Sequence, residues 1–376
     1  MTRFENIIST IRKIKVEAER IASRPEGTVV SPLEFEGMPA QEALEATLKK
    51  AAKEELAVVD LGGEARFVSR TLNYIAPEQK KVTFTNGAIF RSPGLNIANL
   101  QLSRCGAALF TPSFVLSGSN GAEPPNNRMR TCPLLVHNVK DFLFQGRIED
   151  ATSYGICAFQ QGMLAIRETR SFVVEDATFH NCWEGGVLVF DVGANDCGYR
   201  FSRNSMTLNI HPNGAAFPIQ GPNGICFEVE DFPDLGAIKT VGKIIVEDNG
   251  IGIVGSMTSN AYGVCLINAP NVPARLNIRE THINRNKIYP SEGCQKIAIP
   301  IFWLSPWLYD RETPETCLVD INDNDLEGKL SSALILARRG DNVFPNTVVH
   351  LRMERNIDRG GLASSSTKPF QQEGAW

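Results

Sequence analysis

The sequence holds little that would insert it in a bilayer, bind it to nucleic acid or let it hold a metal. No run of about 18 apolar residues occurs in its 376 positions, so no helix that spans a membrane is expected. The opening "MTRFENIISTIRKIKVEAER" is charged every few residues and has no apolar core of a secretory leader, which points to synthesis in a cytosol. Lys and Arg number 38 against 42 Asp and Glu, a net charge of -4, with none of the basic excess that displaces phosphate counterions. Nucleic acid is therefore excluded as the expected partner. The five histidines, His137, His180, His211, His282 and His350, never approach the spacing of a metal site, so no metal is expected. The nine cysteines are odd in number and contain no CxxC pair, which reads as buried thiols in a reducing compartment. "GGEARF" and "NGIGIVG" lack the lysine and the following helix of a phosphate-binding loop, and no cofactor is expected.

What the chain has in abundance is repetition. "GICAFQQG" at Gly155 returns as "GVLVFDVG" at Gly186, "GICFEVED" at Gly224 and "GVCLINAP" at Gly263, with looser copies in "KIAIPIFWL" from Lys296 and "ALILARRG" from Ala333. Their starts lie 31, 38, 39, 33 and 37 residues apart. A second pattern, apolar positions followed by Thr or Asn, recurs in "LAIRET" from Leu164, "LNIRETHI" from Leu276, "VDINDNDL" from Val319 and "LRMERNI" from Leu351. "FLFQGRIEDATSYGI" from Phe142 and "FVVEDATFHNCWEGG" from Phe172 align without a gap. A period of 30 to 40 residues made only of short strands, with no tight hairpin signals, predicts a parallel solenoid instead of a propeller. Ile156, Val187, Ile225, Val264, Ile297 and Leu334 are then expected one above another at about 4.8 Å per rung.

Two helices are expected before the coils. Phe4, Ile7, Ile11, Ile14, Ala18 and Ile21 follow alternating steps of three and four, a heptad seam over residues 1–24 that stops at Pro25. Ile at both seam positions favours three strands, and an amphipathic helix lying on the chain's own surface is the rival reading. In the segment 25–57, "PAQEALEATLKKAAKEE" places Leu44, Leu48, Ala51 and Ala52 on one face of a helix suited to closing the open end of a coil. The solenoid is expected over 58–358, with a polar extended tail over 359–376.

These residues together resemble the right-handed parallel β-helix of the pectate-lyase-like superfamily over about 300 residues. An N-terminal trimerising segment, a short helix and then a β-helix are similar in organisation to bacteriophage tailspikes and related receptor-binding proteins. The helix-to-strand entry "QEALEATLKKAAKEELAVVDLGG" matches that group's capping segment in part, lacking its usual continuation. The resemblance implies an all-β fold, a single-chain right-handed parallel β-helix with an N-terminal coiled coil and a capping helix. It implies a homotrimer on a phage tail, attached to baseplate or adaptor proteins through residues 1–24, that binds and depolymerises a bacterial surface polysaccharide. A receptor-binding spike without catalysis and a cellular lyase, hydrolase or epimerase are the rival functions. The Gly-His-Gly signature of galacturonases is absent.

Glycoside hydrolysis commonly uses two carboxyl groups, one to protonate the leaving oxygen and one to activate water or attack. Glu175, Asp176, Glu184, Asp191, Glu228 and Glu230, supplied by adjacent coils, are the catalytic candidates. The opposing reading is that Glu-Asp pairs at strand ends are turn residues, which satisfy backbone at bends. Uronate elimination would call instead on cations and a base, for which Arg200, Arg203 and His211 are near in sequence. Trp183, Trp303, Trp307 and Tyr309 are the candidate sugar platforms, since flat rings with a polar tip suit the CH face of a pyranose. Packing within the coil or against a neighbouring subunit is the other reading for Trp303 and Trp307. "SGSNGAEPPNNRMRT" from Ser117 and "HPNGAAFPIQGPNG" from His211 are candidate binding loops. The repeated strand is apolar on both faces, which predicts that something, such as a second subunit about a threefold axis, covers its outside.

Overall fold

A computed structural model describes residues 27–118, 132–159, 170–190, 197–209, 222–229, 239–254, 261–268, 276–291, 298–305, 315–327, 335–339, 347–359 and 370–373, except 78, 94, 96 and 138. The coiled-coil expectation for residues 1–24 lies outside them, as do Asp191, Glu230, Trp307, Tyr309 and most of the two candidate loops. Among the described residues the strands form three parallel sheets, here called A, B and C, of eleven, ten and ten strands. The chain visits A, B and C in turn, and each strand pairs with its equivalent one coil before and one coil after. This is a parallel β-helix of ten three-strand coils preceded by one extra strand, Thr28–Val30.

The repeated strand is the sheet C rung. Ile156 pairs with Val187, Val187 with Ile225, and Ile225 with Val264. The expected column is corrected at its far end: Val264 pairs with Ile301, not Ile297, and Ile301 with Ile335, not Leu334. The shift arises where Pro300 takes the place held by glycine in the other copies. That glycine, Gly155, Gly186, Gly224 or Gly263, sits at a close approach. A Cβ on Gly224 would lie 2.3 Å from the Gly263 carbonyl oxygen and 2.8 Å from Ile251 Cγ2. The second repeat is displaced as well, because Val319 pairs with Thr281 and not with Leu276. The gapless alignment also gains one residue at a corner: Phe142 pairs with Phe172, 30 residues on, but Arg147 with Thr178, 31 residues on.

The interior is one continuous apolar column. Its sheet A side begins with rings, Phe84 stacked on Phe110 at 4.7 Å and Phe142 on Phe172 at 4.5 Å, and continues as Ile244, Val246, Ile283 and Ile321. The corner from A to B carries a second column. Asp176, Arg203, Asp248, Arg285, Asp323 and Arg355 all adopt positive φ between 52° and 58°. From Arg203 onward the next residue is a buried or half-buried asparagine: Asn204, Asn249, Asn286, Asn324 and Asn356. Each Oδ1 from Asn249 to Asn356 accepts from the backbone N–H and the side-chain Nδ2 of the asparagine one rung earlier, at 2.8 to 3.1 Å. Each Nδ2 also reaches a strand carbonyl, as Asn249 does to Phe201 O at 3.0 Å. Asparagine suits this place because its amide supplies both donor and acceptor to a bend that would otherwise bury unpaired backbone groups.

Helix α1, Ala40–Ala51, closes the N-terminal end with Ala43, Leu44, Thr47, Leu48 and Ala51 buried. Arg70 grips Glu45 through Nε and Nη2 at 2.6 and 2.8 Å, which fixes the helix to the first coil and pulls the Glu45 carboxyl down to about 2.

Candidate functional site

The four nominated carboxylates among the described residues, Glu175, Asp176, Glu184 and Glu228, do not form one cluster. Glu175 ends a sheet A strand and Asp176 is the corner residue after it. Arg203, one rung on, binds Asp176 through Nε at 2.8 Å and Nη2 at 2.7 Å, and reaches Glu175 at 3.2 Å. The guanidinium hydrogen bonds hold the Asp176 carboxyl below its usual range. A carboxyl kept ionised in this way is poorly placed to donate a proton as a general acid. Arg203 is likewise committed, and His211 lies outside the described residues.

Glu184 sits at the corner from B to C, only 3 % exposed, and accepts from Ser153 Oγ at 2.9 Å. Beside it the Tyr154 ring fills the space over Gly185, where a Cβ would come within 2.4 Å of the ring, and its hydroxyl accepts from Asn223 Nδ2 at 2.8 Å. Glu228 lies on sheet C opposite Phe190, six residues along the extended chain from Glu184. At about 3.3 Å per residue, Glu184 and Glu228 stand on the order of 20 Å apart, well beyond the roughly 5 to 9.5 Å between paired glycosidase carboxyls.

Of the ring platforms, Trp183 is half-buried beside Glu184, its backbone N–H donating to Ala151 O at 2.9 Å. Trp303 is a correction: it points into the coil, 0 % exposed, and meets Phe227 edge-on at 5.9 Å. Strand alternation decides this, since Trp303 shares the inward row with the buried Leu266 while its neighbour Phe302 faces out. The outward apolar row of sheet C, Leu135, Cys157, Leu188, Cys226 and Cys265, is 0 to 7 % exposed within the single chain. Its cover is therefore already present, and a second subunit is not needed to explain it. Burial pushes the Cys157 and Cys265 thiols up, and it pushes the Cys182 thiol up to about 12.

A polar cluster that sequence reasoning missed stands on the outer wall of sheet A. His282 pairs in register with Asp320 on the next strand and shares its face with Glu280 two residues earlier. Its Nε2 lies 3.3 Å from Glu280 Oε2 and its Nδ1 3.4 Å from Asp320 Oδ2. Only a protonated ring donates to both carboxylates at once. Lys243 Nζ reaches Glu280 Oε2 at 2.8 Å, and its hydrogen bond, followed by that of His282, holds the Glu280 carboxyl down. On the other side Arg352 Nε lies 4.0 Å from Asp320 and 3.1 Å from Glu354. His282 and Asp320 keep 21 % and 15 % of their side chains exposed, and Lys243, Glu280 and Arg352 about half, so the cluster is open to solvent. Proton-transfer groups and cations thus meet on a rigid strand surface that an incoming polymer can reach. The signal for it was the motif Ile-Asn-Arg-Asn at 283–286 against Ile-Asn-Asp-Asn at 321–324, which sets His282 beside Asp320. Among the described residues no group of three or more His, Cys, Asp or Glu is arranged to hold a metal ion.

Comparisons with known proteins add little to this geometry. No protein-family model matches the chain, and no curated protein sequence matches it. A similar solved structure is the crystal structure of PfbA, a surface adhesin of Streptococcus pneumoniae, at 9 % identity and a TM-score of 0.35, covering 88 % of this chain and 91 % of that one.

Proposed function

We propose that the chain is the β-helical body of a homotrimeric bacteriophage tailspike that holds a bacterial surface polysaccharide along the outer wall of sheet A and depolymerises it there. The observation that carries this reading is the His282 cluster, in which an imidazole stands between two carboxylates and is flanked by Lys243 and Arg352 on an open strand surface. A parallel coil suits a long polymer, since its rungs repeat at about 4.8 Å and hold side chains at fixed positions. Attachment to the phage tail through residues 1–24, and a virion location after synthesis in the host cytoplasm, belong to the same proposal.

The separation of Glu175 at a strand end of sheet A, Glu184 at the corner from B to C and Glu228 on a sheet C strand favours a second reading, a receptor-binding spike without catalysis. Incubating the purified chain with host envelope polysaccharide, with binding measured and products sized by mass spectrometry, separates the two. Shortened chains that disappear with His282→Ala and Asp320→Asn support depolymerisation at this cluster. Binding without shortening supports the receptor reading, and absence of both overturns the proposal.

A further inference from the structure

The cations around the His282 cluster are each held by a carboxylate. On the outer wall of sheet A, Arg200 meets Glu247 at 3.0 Å, Lys243 meets Glu280 at 2.8 Å and Arg352 meets Glu354 at 3.1 Å. At the adjoining corner Arg203, Arg285 and Arg355 meet Asp176, Asp248 and Asp323 at 2.6 to 2.8 Å. Lys243 and Glu280 are direct register partners, and apart from Arg352 every one of these cations finds its acid on a neighbouring rung. Sheet pairing fixes that spacing, so the carboxylate stays beside its cation when a ligand arrives. An anionic sugar, whether a uronate or a phosphate ester, would have to displace a carboxylate and then lie against it as a like charge. Neutral hydroxyls face no such conflict. Lys243 has three N–H donors and directs one at Glu280, and a carboxylate offers about four lone-pair sites. A sugar hydroxyl both donates and accepts, so it joins an existing pair without breaking it.

We infer that the polymer recognised at this cluster is a neutral, hydroxyl-rich polysaccharide. The inference rests on the proposed polysaccharide site and names the class of its ligand. It also selects the bond-breaking step. Elimination needs a sugar carboxylate to make the neighbouring C5 proton acidic, and a neutral sugar has none, so cleavage here is hydrolysis. The water oxygen bonds to the anomeric carbon, and the glycosidic bond breaks with its electron pair on the departing oxygen. One proton goes to that oxygen and the attacking water loses one. The imidazole of His282 and the carboxyl groups of Glu280 and Asp320 are the proton-transfer groups at this place.

Polysaccharide extracted from the host envelope is separated on an anion exchanger into uncharged and acidic fractions, and binding of the full chain to each is measured. The uncharged fraction is expected to bind about tenfold more tightly than the acidic one, with an affinity that holds between about 30 and about 300 mM salt. Shortened chains are expected to show no mass deficit of one water at the new end. Glu354→Gln removes the nearer carboxylate from Arg352 and is expected to raise affinity for the acidic fraction severalfold, with the circular dichroism spectrum retained. Should that variant fail to fold, Glu280→Gln releases Lys243 to the same end. Preference for the acidic fraction, binding that salt abolishes, unsaturated ends, or an acidic-fraction affinity indifferent to these substitutions overturns the inference and leaves a polysaccharide site standing. Binding of neither fraction overturns the polysaccharide reading and the inference with it.

Discussion

The two halves of sheet A solve the same stacking problem with different chemistry. From Leu56 to Glu175 the inward column is filled by phenylalanine rings, the outward row is apolar, and the corners to sheet B are held by hydroxyls such as Ser113 Oγ, which accepts from the Asn86 N–H at 3.0 Å. From Cys197 to Glu354 the column turns largely aliphatic beyond Tyr199 and Phe201, the outward row turns ionic, and the corners become the asparagine ladder edged by Asp–Arg clamps. Ring stacking depends on tight fill across rungs. Amide stacking depends on a turn of constant length. The first half is therefore sensitive to interior volume, and the second to corner chemistry.

The contrast yields graded expectations. Phe110→Ala removes a ring that touches Phe84, Phe114, Phe142 and Phe144, and should cost about 3–5 kcal/mol in urea unfolding. A loss below about 1 kcal/mol would mean that the column can collapse around the gap, and the contrast in fill would fail. Asn249→Ala strips a buried amide that serves Asn204, Phe201 and Asn286, for an expected cost of about 1–3 kcal/mol. Ser113→Ala, on its exposed corner, should cost less than Asn249→Ala, and equal losses would erase the distinction between the two kinds of corner. The smallest effect belongs to the clamps. Arg285 holds the Asp248 carboxyl below its ordinary value of 3.8. Stability from that pair is complete above the ordinary value and is lost as pH falls through the lowered folded value. Arg285→Met should therefore lower the melting temperature slightly at neutral pH and shrink the further fall between about pH 5 and about pH 2. An unchanged acid dependence would show that the clamp adds nothing to folding.

The parallel coil was legible because its signal repeats. An apolar strand led by glycine returns often enough that Ile156, Val187, Ile225 and Val264 could be stacked from spacing alone. The register slipped where proline replaced that glycine, at Pro300, and where a corner gained a residue, near Ala177, because neither change alters apolar periodicity. The site was much less legible. Glu175 and Asp176 looked chemical in sequence because acids at strand ends serve catalysis and turns alike, and only Arg203 one rung away distinguishes the two. Trp303 looked like a sugar platform because composition does not reveal which side of a strand a ring occupies. His282 was passed over as a lone histidine, since its partner Asp320 is 38 residues away and adjacent only once the coils are in register.

The corner column has a consequence for how such a chain can change length. Its left-handed positions alternate in sign, Asp176, Arg203, Asp248, Arg285, Asp323 and Arg355, and each arginine clasps the aspartate before it. Excising one rung, residues 249–285, would set Asp248 next to Asp323 and leave two like charges abutting with no guanidinium between them. Excising two, residues 249–323, would bring Arg355 onto Asp248 and restore the clasp. Along this edge the rungs count in pairs, so duplication or deletion during descent should add or remove couples, about 10 Å at a time.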